Sequence, residues 1–270
     1  ATKGVEGKVV NDLLKEALHR QGIDNVEPTA VINDTVAVLL AAAYKQANTY
    51  IGSIYATGHN TCYFEPFIGK AERPMILNLE SGGFSKLVPN RFDAEFDAGS
   101  EKPGEQRLEK MVSGRYMGEL FGMAIAELLG EKGKKYGFTS IDMSNIIVDE
   151  TAGLTEVSRI IKAKTGHDLE EVDLQRLQEL ASAIVVRSAR LVTATYVGII
   201  WQLAGDDAIK KQHIAIDGSV YEKMPLAKEN IMRALSELLG ESAANVDTVL
   251  ENGGSGLGAA IAAAMSKEQD

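Results

Sequence analysis

The stretch TYIGSIYATGHNTCYF, residues 49–64, holds two runs rich in β-branched and aromatic side chains, separated by Ala56-Thr57-Gly58-His59-Asn60. Such runs, broken by a glycine-bearing turn, predict two consecutive strands over 49–55 and 61–64. Residues 74–79 supply a third β-prone run before Glu80-Ser81-Gly82-Gly83, so the region reads as a meander whose turns carry polar groups. Upstream, Thr29-Ala30-Val31-Ile32 predicts a short strand, and Asn33-Asp34-Thr35 opens an apolar helical segment over 36–44. Still earlier, Val9, Val10, Leu13, Leu14, Ala17 and Leu18 recur at three- and four-residue spacing, which predicts a core-facing helix stopped at Gly22.

Downstream of Pro103 the period becomes helical. Leu108, Met111, Val112, Met117, Leu120, Phe121, Ile125, Leu128 and Leu129 form a broad apolar stripe, and Gly114, Gly118 and Gly122 along it predict close helix packing or bending. Residues 169–203 predict one or two further helices. His213-Ile214-Ala215-Ile216 reads as a strand, and Val220-Tyr221 reads as its hairpin partner across Asp217-Gly218-Ser219. A helix over 226–239 and a strand over 246–250 follow, then the loop Asn252-Gly253-Gly254-Ser255-Gly256 and the apolar run 259–265.

The 270 residues suffice for about one to two domains. A net charge of -10 argues against a protein that grips nucleic acid through its phosphates. The single Cys62 excludes an internal disulfide, and His19, His59, His167 and His213 have no metal-ligand spacing. A reducing, cytoplasmic setting without a protein-held metal is the expectation. The longest continuous apolar runs, 36–43 and 257–265, fall short of the roughly 20 residues that cross a bilayer, so no membrane span is expected. Ala1-Thr2-Lys3-Gly4 does not read as the start of a signal peptide.

Several strand ends lead into small or polar residues whose free N–H groups suit an anion, although any one glycine loop is more often a plain tight turn. Gly254-Ser255-Gly256-Leu257-Gly258 is followed by too few residues for a dinucleotide-binding unit, and Leu257 breaks the nucleophile-elbow pattern. Asp34 beside Asn33 can accept a hydroxyl proton or can cap a helix. Glu80 and Glu109, each near a glycine-bearing loop, can meet a polyhydroxylated ligand or stand as solvated acids. His59 reads as a turn residue and Cys62 as packing.

In order along the chain, Thr2-Lys3-Gly4, Val31-Ile32-Asn33-Asp34-Thr35-Val36, Ala56-Thr57-Gly58-His59-Asn60-Thr61-Cys62-Tyr63 and Asn78-Leu79-Glu80-Ser81-Gly82-Gly83-Phe84 resemble successive motifs of the eukaryotic-type hexokinase family. Pro103-Gly104-Glu105-Gln106-Arg107-Leu108-Glu109-Lys110, Ile216-Asp217-Gly218-Ser219-Val220-Tyr221 and Gly254-Ser255-Gly256-Leu257-Gly258-Ala259-Ala260 continue the series. The resemblance implies an α/β, actin-like ATPase (ribonuclease H-like) hexokinase fold, mostly the large domain with an incomplete small domain. Residues 1–30 would then end the small domain, 31–253 form the large domain with its sugar and nucleotide loops, and 254–270 return as a helix to the small domain.

The same resemblance implies transfer of the γ-phosphoryl of Mg2+-ATP to the 6-hydroxyl of a hexose, glucose foremost, as the first step of glycolysis. Asp34 looks like the general base, and Asn33, Asn60, Glu80 and Glu109 look like hexose ligands, with Thr2 and Lys3 completing the site. Lys3 would also stand near the phosphate; Thr57 and Gly58 would meet the ATP phosphates, Gly218, Ser219 and Ser255 the nucleotide, and Ser140 and Ser144 the adenosine. Ser81-Gly82-Gly83-Phe84 replaces the family's Trp-Gly-Ala-Phe, Gly253 replaces an acid, and Leu257 stands where a basic residue is common. The family's Asp-x-Gly-Gly-Thr phosphate motif does not occur, so the 270 residues alone are expected not to turn over. A sugar-binding or sugar-sensing protein without catalysis, and a helical scaffold, are the competing readings; oligomeric state is left open.

Overall fold

The computed structural model describes residues 3–66 and 74–267. Five strands, β1 (Thr49–Tyr55), β2 (His59–Glu65), β3 (Met75–Asn78), β4 (Gln212–Asp217) and β5 (Val246–Leu250), form one sheet in the order β3-β2-β1-β4-β5. The first three run as the antiparallel meander that the opening stretch predicts, with Gly52 opposite Cys62 and Cys62 opposite Asn78. β4 and β5 extend the other side of β1 in parallel, with Ile54 beside Asp217 and Ile216 beside Leu250. The C-terminal ends of β1, β4 and β5 therefore share one edge, the place where open α/β sheets take their ligands. The segments leaving that edge carry Thr57-Gly58, Gly218-Ser219 and Gly253-Gly254.

Alternate residues of each strand serve opposite faces. Ile51, Tyr55, Ile214 and Ile216 enter the main core, whereas Ile54 and Ala215 pack on Val38 and Ala42 of α2 (Asp34–Lys45). Gly52 lets α2 come close: a Cβ there would lie 2.6 Å from the Thr35 carbonyl oxygen and 2.8 Å from Leu39 Cβ. α11 (Gly254–Lys267) lies along the outside of α2.

The other face is organised by α8 (Glu171–Ala204), a single helix of 34 residues. Leu174, Leu177, Ala181, Val185, Ala189, Val192, Tyr196 and Ile200 are buried at three- and four-residue spacing along it, one continuous stripe. By length and composition α8 could cross a membrane, although Arg187 and Arg190 interrupt its apolar run; half of its most apolar stretch is buried inside the protein, as in a core helix. Its buried hydroxyls are all paired. Ser188 donates to the Val112 carbonyl at 2.6 Å, so Tyr55 is the donor in its 2.6 Å contact with Ser188; Tyr196 donates to Ser53 at 2.9 Å, and Ser53 to the Asn60 carbonyl at 3.1 Å. The remaining helices are α1 (Val10–Arg20), α3 (Arg91–Ala98), α4 (Arg107–Val112), α5 (Gly114–Leu128), α6 (Ser140–Ile147), α7 (Thr155–Thr165), α9 (Ser219–Lys223) and α10 (Ala227–Leu239).

Three expectations are corrected. Residues 29–32 have β-prone composition but no strand beside them among the described residues, and they run as unpaired coil. Val220 and Tyr221 belong to α9 rather than to a hairpin, because the chain coils after Gly218 and the Glu222 N–H bonds the Gly218 carbonyl. α1 has the apolar spacing predicted but buries no residue; Val9, Val10 and Leu14 are exposed because no described element covers them. The glycines of α5 do serve close approach: a Cβ on Gly114 would lie 2.9 Å from Val220 Cγ2 of α9 and 3.0 Å from the Ala56 carbonyl oxygen, and one on Gly118 would lie 2.4 Å from the Phe138 carbonyl oxygen.

Candidate active site

Asn33 is the N-cap of α2, and its side chain accepts both the N–H and the hydroxyl of Thr35, at 2.9 and 2.6 Å. Asp34 is thus the first residue of a helix, not the last of a strand, and its Oδ1 accepts the same Thr35 N–H at 2.8 Å. The other oxygen of Asp34 takes part in no hydrogen bond among the described residues.

Asn60, in β2, faces the same side as α2. Its Oδ1 accepts the N–H groups of Thr61 and Ser81 at 2.7 and 3.1 Å, while its Nδ2 donates to Asn78 at 2.8 Å and reaches Asn33 at 3.5 Å. Asn78 in turn donates to Glu80 at 2.7 Å. Asn78 stands inside the stretch compared above, yet sequence reasoning gave it no role; its place opposite Cys62, beside Asn60, needed the strand register. Glu80 is held at φ 49°, left-handed backbone that a side chain rarely adopts.

Glu109 arrives from α4. Its Oε2 accepts the His59 N–H at 3.0 Å, and a Cβ on Gly58 would lie 2.8 Å from that oxygen. Gly82 is equally constrained, its Cβ position 2.7 Å from the His59 carbonyl and 3.1 Å from Glu109 Cβ. Five of the expected hexose groups, Asn33, Asp34, Asn60, Glu80 and Glu109, are thereby gathered around the β2–β3 side of the sheet. Lys3 is exposed in the turns before α1, and no hydrogen bond or ion pair among the described residues joins it to them. Thr2 lies outside the described residues.

On the shared strand edge, Gly218 has φ 137°, and a Cβ on it would lie 2.3 Å from the Tyr55 carbonyl, so only glycine lets β4 leave the sheet here. Burial, with the Glu251 carboxylate behind it and Glu222 and Asp34 farther off, pushes the Asp217 carboxyl up against a Gly218 N–H that opposes the shift. Neither Asp217 nor the buried Glu251, which pairs with Lys45, was singled out from the sequence; both lie at ends of parallel strands. A cavity of about 1060 Å³ opens beside this edge, lined by Thr57, Arg115, Tyr116, Ser140 and Ser219 among others. That volume accommodates a nucleotide. Gly58, Gly218, Ser144 and Ser255 do not line it: Ser144 lies one turn beyond Ser140 in α6, and Ser255 is exposed at the start of α11. Among the described residues no three His, Cys, Asp or Glu side chains are grouped so as to hold a metal ion.

His59 is no turn residue. It opens β2 fully buried, its Nδ1 3.1 Å from the Ile54 carbonyl, and burial lowers its pKa to about 4. Cys62 behaves as packing, its thiol buried and pushed up to about 12, chiefly by burial. For His59 the unfolded chain binds a proton near pH 6.5 and the folded chain does not until about 4, so its contribution to stability is complete above pH 6.5 and is lost as pH falls toward 4. Between pH 7 and pH 5 the protein should lose about 2 kcal/mol more stability than its His59→Gln variant. Urea unfolding at the two pH values checks this; equal losses would contradict a neutral, buried imidazole.

A family model described as hexokinase matches residues 50–265, and a second with the same description matches residues 1–44. The chain belongs to the hexokinase family. Hexokinase-2 of Rattus norvegicus is 33% identical over 98% of this chain and 31% of its own length; Hexokinase-2 of Candida albicans is 31% identical over 98% and 60%. Among solved structures, a crystal structure of hexokinase matches at 31% identity with TM-score 0.82, over 96% of this chain and 59% of that one. The hexokinase from Schistosoma mansoni complexed with glucose matches at 27% identity with TM-score 0.86, over 98% and 64%. The fold is therefore the α/β actin-like fold of hexokinases, and the chain spans less than two thirds of the length of each of these relatives. One departure from the hexokinase pattern gains a physical reading. Ser81, where Trp is usual, takes part through its backbone N–H, and its small side chain leaves room for the His59 ring, 3.4 Å from its hydroxyl.

Proposed function

We propose that the protein to which this chain belongs transfers the γ-phosphoryl group of ATP to the 6-hydroxyl of a hexose, with glucose as the first acceptor to try and entry into glycolysis in the cytoplasm as its setting. The observation that carries this reading is the linked set Asn33, Asn60, Asn78 and Glu80, with Asp34 and Glu109 on either side. Amides locked to one another leave carboxylate oxygens at Asp34, Glu80 and Glu109 to accept from sugar hydroxyls, and the Asn33 amide to donate. Asp34 takes the proton of the attacking hydroxyl through the oxygen not bound to Thr35. Phosphoryl transfer is otherwise a matter of alignment and charge, which the β1–β2 turn at Thr57 and the Gly218-Ser219 bend supply from the neighbouring edge. Magnesium, bound with the nucleotide, would neutralise phosphate charge.

The test is a coupled assay of ATP-dependent glucose phosphorylation by the full natural gene product beside the 270-residue chain. Turnover by the former and none by the latter is expected, since this chain holds no Asp-x-Gly-Gly-Thr motif. Robust turnover by the chain alone would overturn the second part, and an inactive full product that still binds sugar would favour a sensor.

A further inference from the structure

α4 is only six residues long, and it enters from Gln106 in left-handed backbone, φ 50°, and leaves through extended Ser113. So short a helix does not hold its own place. On one side Glu109 reaches the His59 N–H; on the other, the next residue, Lys110, is buried, 6% exposed. Its ammonium lies 2.5 Å from Asp97 Oδ1 and donates to the Lys102 carbonyl at 2.7 Å. Asp97, near the end of α3, gathers the whole intervening loop: both its oxygens face the Gly104 N–H, at 3.1 and 2.9 Å, its Oδ2 lies 3.7 Å from Arg107, and its carbonyl accepts the Ser100 hydroxyl at 2.7 Å. Burial would raise the carboxyl, but Lys110, the Gly104 N–H and Arg107 outweigh it and hold it below the usual range.

A buried ion pair is poor value as a source of stability, because apolar side chains of equal volume usually serve as well; what it supplies is a fixed distance. We infer that the Asp97–Lys110 pair is the positioning element of Glu109, setting the height of α4 over the glycines at 82 and 83 and so the place where the Glu109 carboxylate meets the hexose. The inference rests on reading Glu109 as a sugar ligand. Gln106, whose Oε1 lies 3.4 and 3.3 Å from the Cβ positions of Gly82 and Gly83, is carried by the same loop.

In the full-length protein, Asp97→Asn should raise the hexose KM about tenfold or more with the ATP KM and kcat little changed, the pattern of lost substrate placement. Asp97→Glu, which keeps the charge and displaces it by one methylene, should raise it as well, and serves if the Asn variant does not fold. In a Glu109→Gln background, Asp97→Asn should add nothing further. An unchanged hexose KM, with kcat falling in step with the folded fraction, would make the pair merely structural, and multiplying effects of the two substitutions would place it on another route. If Glu109→Gln raises the hexose KM and Asp97→Asn does not, only this inference falls; if Glu109→Gln leaves the KM unchanged, the ligand reading falls and takes the inference with it.

Discussion

Asp34→Asn in the full-length protein should lower kcat by about 10²- to 10⁴-fold while hexose affinity stays nearly as it was. The amide has the shape of the carboxylate, so its oxygen can still accept the Thr35 N–H that now lies 2.8 Å from Oδ1, and the start of α2 keeps its geometry. What is lost is the atom that takes the proton. Asn33, Asn60, Asn78 and Glu80 are linked, and Glu109 is bound to the His59 N–H, through bonds in which Asp34 has no part, so sugar binding should survive. Steady-state kinetics beside calorimetric titration of hexose checks both halves. A kcat within a few-fold of the parent would remove Asp34 as base, and a collapse of binding would make it a sugar ligand first.

The second large effect concerns Gly258. It stands within α11 where that helix crosses α2, and a Cβ there would lie 2.0 Å from the Ala37 carbonyl oxygen and 2.5 Å from Ala37 Cα. Backbone cannot step aside as a flexible side chain does. Gly258→Val should cost about 3 kcal/mol or more, a fall in Tm of roughly 10 °C. Ala37 is three residues after Asp34, so displacement of α2 also disturbs the proposed base, and activity should drop with stability. Gly256→Ala, in the same helix with open space around it, is the control and should leave Tm unchanged or slightly higher. Thermal unfolding of the two variants decides the matter; equal Tm values would mean that α11 can ride higher on α2 without loss.

The strands of the meander and β5 were legible because their β-prone runs are bounded by glycine or polar turns, and Asn33, Asn60, Glu80 and Glu109 because they stand in ordered motifs. What the sequence withheld depends on pairing in space. Residues 29–32 and Val220-Tyr221 have the same composition as real strands, and only the presence or absence of a neighbour distinguishes them. Asn78 acquires a role through strand register, Asp97 through a loop that folds back on it, and Glu251 through the junction of β5 with α11, none of which leaves a periodic trace. His59 was misread because a polar residue beside glycine looks like turn chemistry, whereas its ring turns inward toward Ser81.

Glu80 and Gln106 both occupy left-handed backbone and both border the same patch of Gly82-Gly83. Glycine at either position would relax the chain by about 1 kcal/mol and erase the side chain at the site. For a lineage under selection these two codons are therefore pulled in opposite directions, toward a sturdier protein by one pressure and toward a working one by the other. With Glu80 read as a sugar ligand, drift to glycine there would pass a screen for folding and fail one for hexose binding.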